Sequence, residues 1–184
     1  MAYGATIGAV SAVGVEERER PAAGVLARLD AWLDCDADTL RRTYEGARVP
    51  RIPDVSGALR GRMLTWPVAG RRTNALVRAL GGWERFPWRG KSFFPQTEHR
   101  GEGINRVLSE RLALFRFETK VDRSRAGDFD AIQLDYDLPE NPFFIRAIKD
   151  EIREVEPGLW LGQAYLHAFG KDTLVLYFGL AVAS

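Results

Sequence analysis

The chain is poorest in residues that carry chemistry by themselves. Cys35 is its only cysteine, so no intrachain disulfide can brace the fold, and a metal centre built on cysteines is excluded. The histidines number two, His99 and His167. Net charge is nearly absent: 26 Lys and Arg stand against 25 Asp and Glu. That balance leaves no field to draw in a polyanion from beyond a Debye length, and a general nucleic-acid binder is disfavoured. No apolar run is long enough to cross a bilayer. The small-residue opening "MAYGATIGAVSAVG" is cut off by "EERER" and lacks the basic n-region of a signal peptide, so the expectation is a cytoplasmic chain with no membrane partner. The motifs of hydrolases and nucleotide enzymes are missing too, with no G-x-S-x-G elbow, no G-x-x-x-x-G-K-[ST] loop and no H-E-x-x-H pair.

What is present is a core. With 46% hydrophobic content over 184 residues, the chain can bury the interior of one ordinary domain. Residues 1–20 are expected as a flexible tail, their Gly, Ala and Ser giving little to pack, unless a second copy of the chain orders them in a homodimer. Residues 21–184 form a single domain whose first part, 21–48, is helical. There Val25, Leu26, Leu29, Trp32 and Leu33 make an apolar stripe at helical spacing after Pro21. A second helix in "DADTLRRTYEGAR" has Asp36 or Asp38 as its N-cap and Gly46 as its stop. "VPRIPDVSG" ends helical structure, "ALRGRMLTW" reads as a strand, and "RRTNALVRALGG" reads as a short capped helix.

Beyond this point the period changes to two. In "RLALFRFETKV" one face holds Ala113, Phe115, Phe117, Thr119 and Val121; in "FDAIQLDYD" Ile132, Leu134 and Tyr136 oppose Ala131, Gln133 and Asp135. "GLWLGQAYLHAF" and "DTLVLYFGLAV" are joined by "GKD" as a hairpin. Between them and the earlier strands, "ENPFFIRAIKDEIREVEPG" predicts a helix with Asn141 as N-cap, Pro142 at the first helical position, a stripe of Phe144, Ile148, Ile152 and Val155, and a Pro157-Gly158 stop. The predicted class is mainly β with α+β character: an antiparallel barrel, closed so that no edge is exposed, with N-terminal helices and one helix inserted before the last two strands.

The run "SGALRGRMLTWPVAGRRTNALVRALGGWERFPWRGKSFF" resembles the small bacterial domains named for a GXWXGK signature. Trp88, Arg89, Gly90 and Lys91 match the second element of that signature; Gly57, Arg60 and Gly61 align with the first, where Leu59 stands at the tryptophan position. In that family a domain of unknown function follows, and "YDLPENPFFIRAIKDEIREVEPGLWLG" is similar to it. The resemblance implies a barrel related to the lipocalins and nitrobindins, with an apolar cavity and no settled activity. It also implies a haem alternative, since nitrobindin-like barrels hold haem through one histidine on a late strand, and His167 is the histidine on a late strand here.

The candidate ligand-binding residues are aromatics and polar groups on strand faces: Trp88, Lys91, Phe93, Phe115, Phe117, Gln133, Gln163 and Tyr177. Read structurally, Trp88 plugs one end of the barrel, Arg89 and Lys91 keep their heads in solvent, and Phe93 lies on the inner face. Read functionally, Lys91 reaches an acidic group of a ligand. On "GLWLGQAYLHAF" one face carries Leu159, Leu161, Gln163, Tyr165 and His167, and the other Trp160, Gly162, Ala164 and Leu166; neither is plainly a solvent face. If the first faces inward, Asp135, Tyr165 and His167 are the candidate catalytic groups. Two functions follow from a hollow barrel: a carrier or sequestering protein for a small hydrophobic molecule, or a cofactor-independent cyclase or isomerase acting on a polyene- or polyketide-like substrate.

Overall fold

A computed structural model describes residues 24–67, 88–107 and 112–182. The expected tail over 1–20 and the helix expected in "RRTNALVRALGG" lie outside the described residues. Eight antiparallel strands close into a barrel in which each pairs with its sequence neighbour and the last returns to the first. They are β1 (Gly57–Thr65), β2 (Trp88–Pro95), β3 (Arg100–Val107), β4 (Ala113–Arg123), β5 (Asp130–Asp135), β6 (Ile148–Glu156), β7 (Leu159–Ala168) and β8 (Lys171–Val182). Most neighbouring strands are joined by short connections. Between β7 and β8 the loop is Phe169 and Gly170, both with positive φ, 52° and 72°, which is the two-residue turn whose twist suits a hairpin.

Two helices precede the barrel and pack on its outside. α1 (Gly24–Ala31) buries Val25 and Leu29 against Leu159 and Ala181. α2 (Ala37–Gly46) begins at Asp36, whose carboxylate accepts the Thr39 N–H at 2.8 Å, the N-cap expected from sequence. It lays Leu40 and Tyr44 on Leu64, Leu161 and Tyr177. β7 is therefore buried on both faces, from Leu159 to Tyr165. No described helix is long and apolar enough to cross a membrane.

The end at which β1 begins is filled. Ile52, of the 3-10 turn Ile52–Asp54, and Val55, just after it, meet Leu59, Phe93, Phe117, Ile132, Ile152, Trp160 and Leu180 there. Phe93 and Phe117 pack edge to face, ring centroids 5.3 Å apart.

One element departs from the sequence reading. Only Phe143–Arg146 is helical, a single turn named α3, and the rest of the segment expected as a helix is strand β6. Asn141 does not cap that turn; its side-chain amide donates to the carbonyls of Arg116 and Tyr136. The physical reason is a spacing shared by two periods. Ile148 and Ile152, four apart, lie on one face of a helix and equally on one face of a strand, and pairing with β5 and β7 decides between them. The helical N-terminal part, the alternation of β5 and the final hairpin stand as expected; on β4 Phe117 and Thr119 share a buried face, but Ala113 and Val121, at its two ends, are exposed.

Candidate functional site

The half of the barrel opposite the filled end is hollow. A cavity of about 490 Å³ is walled by Met63 and Trp66 near the end of β1, Val107 of β3, Phe115 of β4, Ile145 of α3, Ile148 of β6 and Val175, Leu176 and Phe178 of β8. Two glycines make room for two of its rings. A Cβ on Gly61 would lie 2.6 Å from the Trp88 indole, and one on Gly162 would lie 2.2 Å from the Phe178 ring; those two rings then meet edge to face at 5.8 Å.

The "WRGK" run takes its meaning from a β-bulge. Trp88 pairs with Val107 but Gly90 pairs with Arg106, so one extra residue sits on β2. Strict alternation would send Trp88 and Lys91 to opposite faces; the bulge turns both inward. Gly90 is required, with φ at +131° and Leu59 O only 2.1 Å from where a Cβ would stand. A second bulge falls on β4, where Ile104 pairs with Arg116 and Asn105 with Leu114. Phe115 is the extra residue, held at φ 61°, a left-handed conformation costing a non-glycine residue about 1–3 kcal/mol. Its ring lines the cavity and its carbonyl accepts the Asn105 side chain at 3.2 Å.

The polar groups that line the cavity gather at its floor and come from four parts of the chain. Lys91 of β2 is 3% exposed. Its ammonium donates to Asn105 Oδ1 of β3 at 2.9 Å, to Tyr136 Oη just past β5 at 2.5 Å, and to Asp150 Oδ2 of β6 at 2.9 Å. The Tyr136 hydroxyl donates to Asp150 Oδ2 at 3.1 Å and receives the Asn105 amide at 3.1 Å; Trp88 Nε1 donates to Asn105 Oδ1 at 3.1 Å. The rings of Trp88, Phe117, Tyr136 and Phe178 surround Nζ with centroids 5.1–5.5 Å away, returning part of the solvation the ammonium has lost. Burial lowers the Lys91 pKa, against the opposing pull of Asp150, and burial together with the Asp150 charge lifts Tyr136 well above its ordinary value.

Of the residues singled out in the sequence, Trp88, Lys91 and Phe115 line this cavity. Lys91 does not keep its head in solvent. Phe93 and Phe117 are inward but belong to the filled layer below. The inner face of β7 is the one bearing Trp160, Gly162 and Ala164, so Gln163, Tyr165 and His167 are on the outer face. Tyr177 lies outside as well, under α2. Asp135 also lies outside, paired with Lys149 at 2.7 Å, and though burial works the other way, that lysine holds its carboxyl below the usual range. His167 is half exposed and paired with Asp172 at 2.5 Å. It cannot ligate a haem iron inside the barrel, and no other histidine lines the cavity; the haem alternative does not fit this donor set.

Gln133 and Tyr165 serve a second buried cluster outside the barrel. Glu151, with 0% exposure, accepts from Tyr44 Oη at 2.9 Å, Ser124 Oγ at 2.6 Å, the Arg125 N–H at 3.0 Å and Gln133 Nε2 at 3.1 Å. That carboxylate ties α2 and the β4–β5 connection to the wall, a structural task. Tyr165 donates to Gln163 at 2.6 Å beside it.

Asn105, Tyr136 and Asp150 were not legible as site residues. Tyr136 carried a faint signal, sharing the face of Ile132 and Leu134. Asp150 was hidden by the helical reading of its segment. Asn105 lies in a strand that "GINRV" does not announce.

No protein-family model matches the chain, and no curated protein matches it. Among solved structures, a crystal structure of a protein from Thermomonospora curvata is similar, with a TM-score of 0.51 and 22% identity over 86% of this chain and 96% of that one. The likeness is one of fold.

Proposed function

We propose that this protein holds a small, largely apolar molecule in the hollow half of its barrel, as a carrier or sequestering protein. The observation that carries the reading is the cavity itself: about 490 Å³, inside the range of about 300–1,000 Å³ over which small-molecule sites occur, with an apolar wall and a few convergent polar groups. The resemblance of Trp88–Lys91 to the GXWXGK signature supports it, because the bulge at Gly90 aims that motif's tryptophan and lysine into the hollow. The test is titration with the neutral fluorophore N-phenyl-1-naphthylamine, beside native mass spectrometry of the protein as purified. A single saturable site is expected, and Ala164→Phe, which puts a ring where Ala164 lines the cavity, should abolish it while leaving the far-ultraviolet circular dichroism unchanged. Equal binding by the variant, or none by the parent, would overturn the reading.

A second reading, a cofactor-independent isomerase or cyclase, draws support from one feature: Lys91, Tyr136 and Asp150 converge within hydrogen-bond distance in a site shielded from water. An acid, a base and a wall that folds a flexible substrate suffice for a proton taken from one carbon and returned to another. Solvent deuterium appearing at carbon in a ligand recovered from the protein, and lost in Asp150→Asn, would establish it; a ligand recovered unlabelled would leave carriage alone.

A further inference from the structure

We infer that the cavity selects ligands whose buried end is a neutral hydrogen-bond donor, a hydroxyl above all, and that Asp150 Oδ1 is the atom that receives it. The inference rests on the binding reading above and deepens it to a ligand class.

The floor's hydrogen bonds can be counted. Lys91 has three N–H groups, and they go to Asn105, Tyr136 and Asp150. The hydroxyl proton of Tyr136 goes to Asp150 Oδ2. The two amide protons of Asn105 go to the Phe115 carbonyl and to Tyr136 Oη, and its Oδ1 receives both Lys91 and Trp88. Every donor of these four groups is engaged. One acceptor is not: Asp150 Oδ1 is buried with no hydrogen-bond partner, on a residue 5% exposed that lines the cavity. Arg153 Nε and Trp160 Nε1, likewise buried without a hydrogen-bond partner, belong to residues that do not line it.

Buried polar atoms are nearly always satisfied, and a carboxylate oxygen left bare is a strong acceptor waiting for a donor. An ether, ester or ketone oxygen brings none and finds no free donor at the floor. Charge narrows the choice further. Lys91 and Asp150 already form an ion pair, so the floor is neutral. An anionic ligand would set its charge beside the Asp150 carboxylate, and a cationic one would add an uncompensated charge beside Lys91, in a setting that screens poorly. A neutral hydroxyl on an apolar body satisfies both conditions.

The test is displacement of N-phenyl-1-naphthylamine from the whole chain by four molecules with one tail: dodecanol, its methyl ether, dodecanoate and dodecylammonium. Dodecanol is expected to displace the probe at a concentration about tenfold lower than each of the others, because a site with a buried acceptor discriminates against analogues that leave it unpaired. Equal potency of alcohol and ether would show that a bound water or nothing fills Oδ1 and would overturn the inference while leaving the carrier reading intact. Preference for dodecanoate would overturn it as well. Asp150→Asn adds an amide donor in the same shape, and there the alcohol's advantage over the ether should shrink to about twofold or less; the parent series decides the matter even where that variant fails to fold. A parent protein that binds no probe defeats the carrier reading first and this inference with it.

Discussion

Lys91 and Asp150 are the pair on which the inner half of the barrel turns. Each is buried, and neither is tolerable without the other: removing one partner of a buried ion pair leaves an isolated charge and typically costs about 3–5 kcal/mol, whereas replacing both with apolar residues is often neutral. Lys91→Met alone should therefore lose about that much in urea unfolding, and Lys91→Met/Asp150→Leu should recover most of it. A double variant as unstable as the sum of its single substitutions would show that the two do not act as a pair. Outside the barrel Glu151 plays the corresponding structural part with four hydrogen-bond donors at 2.6–3.1 Å. The two neighbours on β6 thus divide inner and outer duties by the alternation of a strand. No residue-level property marks which is which, since both are acidic and both are buried.

At the scale of elements, bulges and glycines place the site more than strand propensity does. Gly90→Ala would need a Cβ 2.1 Å from Leu59 O at a φ that alanine avoids, so it should lose more than about 3 kcal/mol or prevent folding. Gly46, with nothing within 4 Å of its absent Cβ at the end of α2, marks the opposite case: Gly46→Ala should raise stability by about 0.4–1 kcal/mol. The pair checks that local geometry, not glycine content, sets the outcome. β6 shows where sequence reading reaches its limit. Pro142 and the four-residue spacing of Ile148 and Ile152 are true helix signals, and they are overruled only because β5 and β7 offer hydrogen bonds on both sides. A synthetic peptide of residues 141–157 in trifluoroethanol should accordingly show the helical dichroism that the intact chain does not give it; a peptide that stays unordered would mean the strand is encoded locally. The capped α2 and the β7–β8 hairpin were legible because an N-cap and a tight turn act over a few residues.

For the molecule as a whole, burial of phenols predicts an alkaline limit. Tyr44, Tyr136, Tyr165 and Tyr177 all have raised pKa values, burial being the leading cause in each and the charges of Glu151 or Asp150 adding to it for the first three. A group whose folded pKa lies above its unfolded one loses stability as pH rises past the unfolded value. The decline should therefore begin near the ordinary tyrosine pKa of about 10, at about 1.4 kcal/mol per pH unit for each fully buried phenol. Lys91 acts in the opposite sense: its folded pKa is lowered, so stability rises with pH across the interval ending at the ordinary lysine value. Unfolding free energy should pass through a gentle maximum and fall steeply above about pH 10. Absorbance of tyrosinate at the same pH should appear together with loss of the fold, and reversible ionisation of all four phenols in a folded protein would contradict the packing described.

The sequence alone determined the class of the molecule: alternation in its second half demanded a sheet, and "WRGK" singled out Trp88 and Lys91. It could not determine which face of a strand looks inward. A period of two says only that residues share a side, and where α1 and α2 cover the outside of β7 both sides are apolar and buried. Nor could it assemble the floor of the cavity, because Lys91 and Asp150 stand 59 residues apart and meet only when the closing of eight strands carries β2 and β6 to the same depth. Local forces chose most of the strands, but pairing chose β6, and closure of the barrel chose the site.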